Sequence, residues 1–126
     1  MARHADYVPH GVIPAVLLPF AEDLSIDEKS FRKHLRDVAA TSGISAITVN
    51  AHSTEVASCT FDEQRRVLDI ARSEIGKRLP IVSGVWAGPQ EIARFRADGD
   101  RDIPIFISVS RLPVFLHHFH GLRNSL

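Results

Sequence analysis

The stretch Asn50-Ala51-His52-Ser53-Thr54-Glu55 gathers an imidazole, two hydroxyls and a carboxylate between an apolar run and an amphipathic one. Side chains of this kind, just ahead of a helix N-terminus, suit the binding of a carboxylate or another small anion. His52 and Ser53 are adjacent, so sequence gives no ground for pairing them as base and nucleophile. Ser and Thr at such a place also serve as ordinary turn and cap residues. On residue types alone both readings stand.

Other candidates are weaker. Cys59 is the single cysteine, which excludes an internal disulfide and suits a reducing compartment. It reads as a small buried filler rather than a reactive thiol. Trp86, the single tryptophan, ends an apolar run and can line a pocket or pack half-buried. His117, His118 and His120 cluster near the C-terminal end, but no Cys, Asp or Glu follows Asp102 to complete a metal site, so none is expected. No glycine-rich phosphate loop occurs, and basic residues are scattered.

The elements around the loop follow from periodicity. Residues 12–18, VIPAVLL, read as a first buried strand, with Pro14 costing a ladder bond. Ser25 and Glu28 have capping-box spacing, which predicts a helix from Asp27 to about Ala40 with Phe31, Leu35, Val38 and Ala39 inward. Gly43 is its expected stop, and residues 44–49 read as a second strand.

Thr60 and Glu63 repeat the capping box before a second helix, whose inward positions are Val67, Leu68, Ala71 and Ile75. Gly76 ends it, and residues 80–87 form a third strand. Strand starts a little over thirty residues apart indicate βαβ units and a parallel sheet. Ligands of such sheets bind at the carboxyl ends of the strands, where the 50–58 loop lies. After Ala87 the period weakens: 88–99 can hold a short helix and 103–109 a fourth strand.

The totals exclude several classes. Net charge is zero, with 15 basic and 15 acidic residues, so no field favours nucleic acid or an anionic membrane. The longest apolar run is too short to span a bilayer, and the N-terminus lacks a signal-peptide core. A cytoplasmic protein is expected.

Residues 11 to about 87 resemble the start of the dihydrodipicolinate synthase/N-acetylneuraminate lyase family. The landmarks are Pro19-Phe20, the Ser25-Ile26-Asp27 that opens the first helix, Gly43, Glu55, Glu63-Gln64-Arg65 and the strand PIVSGV. The resemblance implies an α/β fold, part of a (β/α)8 TIM barrel, in a lyase or synthase that handles pyruvate or related 2-keto acids through a lysine Schiff base. It requires no cofactor and carries an expectation of homo-oligomers. The family's Gly-Thr-Thr-Gly-Glu loop maps onto Ala51, His52, Ser53, Thr54 and Glu55. His52, Ser53 and Thr54 are then the carboxylate-binding candidates, with Ala51 and Glu55 as loop support; only Glu55 is identical to the family pattern.

A full barrel takes about 250 residues, and this chain is expected to hold about three N-terminal units. Residues 1–100 would form these units and 101–126 a divergent tail, an extra strand or disorder. The family's Schiff-base lysine and catalytic tyrosine belong to later strands. Lys29 and Lys33 lie off the apolar face of the first helix, Lys77 follows the second, and Tyr7 precedes the first strand, so none matches. No complete catalytic set is expected, and the chain reads as truncated and inactive by itself. The alternative is a non-catalytic protein that associates through exposed sheet edges.

Overall fold

The computed structural model describes residues 7–86, Gln90 and the backbone of Ile105–Ile107. Helix α1 spans Glu28–Ala39 and buries Phe31 and Leu35 completely. Val38 and Ala39 pack against the same core from its margin. Asp27, not Ser25, caps the helix, its carboxylate accepting the Ser30 N–H at 3.1 Å. The Ser25 hydroxyl instead donates to Asp23 at 2.6 Å. Two cap-type residues compete here, and the aspartate nearer the helix wins. The helix stops at Ala40, and Gly43, with φ +88°, turns the chain left-handed three residues later.

Residues 12–18 lie where the first strand is expected, but they form isolated parallel bridges, Val12 to Ile44 and Ala15 to Thr48, rather than a continuous strand. Thr48 N–H reaches Pro14 O at 2.8 Å, Val16 N–H reaches Thr48 O at 3.1 Å, and Ser45 N–H reaches Val12 O at 3.0 Å. Four residues, Ser45 to Thr48, therefore face three, Val12 to Pro14, and Pro14 has no N–H to give. The regular part of the second strand, β1, shrinks to Ile47–Val49.

Helix α2, Phe61–Ile75, carries the expected capping box, with both Thr60–Glu63 hydrogen bonds formed. Its buried face includes Val67, Leu68, Ala71 and Ile75, and also Gln64 and Ile70. Strand β2, Ile81–Val85, is buried at every position, as a parallel strand covered on both sides should be. It pairs parallel with β1 and with β3, Ile105–Ile107, which lies inside the run expected as a fourth strand. The order is β1-β2-β3, with residues 12–18 bridged to the outer side of β1. The helix expected within 88–99, apart from Gln90, and the histidines at 117, 118 and 120 lie outside the described residues.

Helices α1 and α2 pack side by side on one face of the sheet. Their outer faces are tied by ion pairs: Glu74 with Arg32 at 3.0 Å and Arg36 at 2.6 Å, Glu28 with Arg32 at 2.8 Å and Arg66 at 2.5 Å. Those guanidinium hydrogen bonds hold both carboxyls below their ordinary range, Glu28 chiefly through Arg32 and Glu74 chiefly through Arg36.

Candidate functional site

The loop from Asn50 to Cys59 leaves the carboxyl end of β1. It opens on Asn50 and passes Glu55, both left-handed at φ +53° and +55°. Two short 3-10 turns, His52–Thr54 and Val56–Ser58, flank Glu55. Left-handed backbone at a non-glycine residue is uncommon, and such residues are enriched in functional loops.

Each residue of the loop has a distinct place. Thr54 is fully buried, and its hydroxyl donates to Val16 O at 2.8 Å. Its proton is committed, so Thr54 ties the loop to the 12–18 segment. Ser53 is its opposite: Oγ is buried and has no hydrogen-bond partner among the described residues. His52 is exposed and meets Trp86 edge to face, ring centroids 6.2 Å apart at 73°. Ala51 C=O accepts the Thr54 N–H at 3.0 Å and the Val56 N–H at 3.3 Å, and His52 C=O accepts the Glu55 N–H at 3.1 Å. Ala51 and Glu55 thus set the backbone shape.

Ser53 and Glu55 line a cleft of about 450 Å³ with Leu17, Leu18, Pro19, Ser30 and His34. The sequence reading missed His34, whose Nε2 accepts the Leu17 N–H at 3.1 Å. Asn50, in sequence only the start of the loop, is buried at 3% exposure, and its Nδ2 donates to Gln64 O at 2.9 Å and Ser83 Oγ at 3.2 Å. Asn50 Oδ1 joins Ser53 Oγ as a buried polar atom without a partner among the described residues. Buried polar atoms are paired in the great majority of cases, so two in one loop need a reason.

Gly84 completes the arrangement by absence of a side chain. A Cβ there would stand 2.1 Å from Asn50 O, so β2 approaches the loop backbone as only glycine permits. Cys59 belongs to the core; burial pushes its thiol up, with the Glu63 and Glu55 charges adding to the effect. It is an inert filler at neutral pH.

A second cleft, about 570 Å³, lies between the outer faces of α1 and α2 and is lined by charges, including Glu28, Arg32 and Arg66. Arg32 and Arg66 both pair with Glu28, and none of the three lies at a strand end. No group of three metal-ligating side chains occurs among the described residues. Nor is any helix among them long and apolar enough to cross a membrane.

The family model described as the dihydrodipicolinate synthetase family matches residues 8–91 of the 126. The chain belongs to the dihydrodipicolinate synthetase family. A relative named 4-hydroxy-tetrahydrodipicolinate synthase, from Salinibacter ruber, is 38% identical over 79 residues, which is 63% of this chain and 26% of that protein. One of the same name from Methanothermobacter thermautotrophicus is 32% identical over 102 residues, 78% of this chain and 36% of that protein. The chain thus spans between a quarter and two fifths of the length of the curated relatives it matches.

Solved structures agree on the fold. Dihydrodipicolinate synthase from Aquifex aeolicus superposes with a TM-score of 0.66 at 21% identity, covering 79% of this chain and 34% of that one. Proteus mirabilis N-acetylneuraminate lyase gives 0.65 at 17%, covering 78% and 34%. This member of the dihydrodipicolinate synthetase family therefore carries a partial barrel.

Proposed function

We propose that the Ala51–Glu55 loop holds the carboxylate of a 2-keto acid such as pyruvate, within a Schiff-base (class I aldolase-type) lyase or synthase. The observation that carries this reading is the Ser53 hydroxyl, buried without a partner beside a cleft at the carboxyl ends of parallel strands. A buried hydroxyl gives up hydration on folding, and a ligand oxygen that accepts its proton restores the loss. A carboxylate is the fitting acceptor, because a hydrogen bond to a charged oxygen is the stronger kind. His52 stands exposed next to it. Thr54 anchors the loop, while Ala51 and Glu55 hold its turns.

The lysines do not share this place. Lys29 and Lys33 are exposed on α1, Lys33 bonded to Asp37 at 2.6 Å, and Lys77 is exposed at the amino-terminal side of β2. On this reading the present residues bind and orient the acid, and the amine that forms the Schiff base is not among Lys29, Lys33 and Lys77. Titration calorimetry tests the binding. Pyruvate should bind the chain, methyl pyruvate should bind far more weakly, and Ser53→Ala should abolish the difference. Equal binding of acid and ester to the unaltered chain would defeat the proposal. Borohydride with pyruvate should leave all three lysines unmodified.

A further inference from the structure

Gln64 is a polar residue on the apolar face of α2, 1% exposed, and every polar atom of its side chain is used. Its Oε1 accepts the Trp86 N–H at 2.9 Å, and its Nε2 donates to Trp86 O at 2.8 Å. A second Nε2 contact, at 3.4 Å, goes to Cys59 O at the end of the loop. The amide thus pairs with Trp86 as a neighbouring strand would, donating and accepting at one residue. The Gln64 main-chain oxygen meanwhile accepts from Asn50 Nδ2 at the start of the same loop. One residue therefore grips both ends of the loop and the residue that follows β2.

We propose that Gln64 is a positioning residue that sets Trp86 against His52 and thereby holds the loop that presents Ser53 to the cleft. The geometric reason is register. His52 and Trp86 leave adjacent strands, and their edge-to-face contact needs both strand ends held at a common height. Strand pairing cannot supply that hold, because the β1–β2 ladder ends at Val49 and Ser83. Gln64 supplies it three residues further, with hydrogen bonds shielded from water, where they are strongest. A supporting residue of this kind fixes a site's rotamers rather than touching the ligand.

The inference rests on the keto-acid reading only for its consequence, since the contact itself can be measured without ligand. Trp86 is the single tryptophan, so emission reports this contact alone. An indole held against a neighbouring ring is shielded from solvent, so acrylamide should quench its emission slowly. His52→Gln should speed the quenching and assign the shielding to that contact. Gln64→Leu, checked for native helix content by circular dichroism, should speed it as much. It should weaken pyruvate binding by about tenfold, the scale seen when supporting partners are lost.

Gln64→Glu keeps the acceptor for the Trp86 N–H and loses the donor, so it should restore part of the shielding even where the leucine variant folds poorly. A folded Gln64→Leu protein with unchanged shielding overturns the proposal, as does a His52→Gln protein that keeps it. If the unaltered chain shields the indole but binds no pyruvate, the keto-acid reading fails and the positioning role of Gln64 stands.

Discussion

The outer faces of α1 and α2 and the loop after β1 lie in one small unit and obey opposite rules. On the helix faces Glu28, Arg32, Arg36, Arg66 and Glu74 answer one another, and both helices begin on a side-chain cap. In the loop, two non-glycine residues are left-handed and two buried polar atoms lack partners. Local agreement is what stability requires, and a cluster of local violations marks where a protein is built for something else. The larger of these two clefts is on the satisfied side and the smaller on the unsatisfied side, so size and unmet hydrogen bonding point to different places.

This contrast can be broken or sharpened by mutation. The largest loss is expected for Phe31→Ala under the helix layer, about 3–5 kcal/mol in urea denaturation, because a fully buried ring leaves a cavity. Gly84→Ala should cost about 1–3 kcal/mol or more by the same measurement, since the new methyl collides with Asn50 O and backbone must move. Thr54→Val keeps the shape, removes the bond to Val16 O, and should cost about 1–3 kcal/mol.

Acid should act on the helix faces. The Glu28 and Glu74 carboxyls are lowered in the folded state, so their contribution is full above the ordinary carboxylate value, about pH 4.3. It is lost as pH falls through the depressed folded values. The urea midpoint should hold down to about pH 4.3 and drop below it, and Glu74→Gln should flatten that drop. No loss of stability is expected at Ser53. Ser53→Ala should leave unfolding unchanged or raise stability by up to about 1–3 kcal/mol, because it removes a buried hydroxyl that has no partner among the described residues. Thr54→Val and Ser53→Ala, one residue apart, should therefore separate: the first costs stability, the second ligand.

What could be read before folding was what is encoded locally. The Thr60–Glu63 capping box, the 3.6-residue spacing of Val67, Leu68, Ala71 and Ile75, and the apolar run of β2 each need only near neighbours. The Ser25 cap failed because Asp23 and Asp27 are equally good local partners, and only geometry chooses between them. The strand over 12–18 is interrupted at Pro14, which has no N–H to give to the ladder.

The 50–55 loop was legible from its position between a strand and a helix and from its family resemblance. Which of its hydroxyls is free was not. Thr54 meets Val16 across 38 residues and Asn50 meets Ser83 across 33, so their pairing is set only by the assembled sheet. Gln64 did leave a trace, a polar residue on the spacing that Val67, Leu68 and Ala71 make apolar, and that mismatch was the available signal.

Amide chemical-shift mapping with pyruvate compares the two regions in one experiment. The account predicts shifts concentrated on Ala51–Glu55 and Trp86, saturating with ligand, and absent from Ser53→Ala. Shifts centred instead on Glu28, Arg32 and Arg66 would show that a carboxylate prefers the paired charges of the helix faces, and would contradict the assignment of the loop as the keto-acid site.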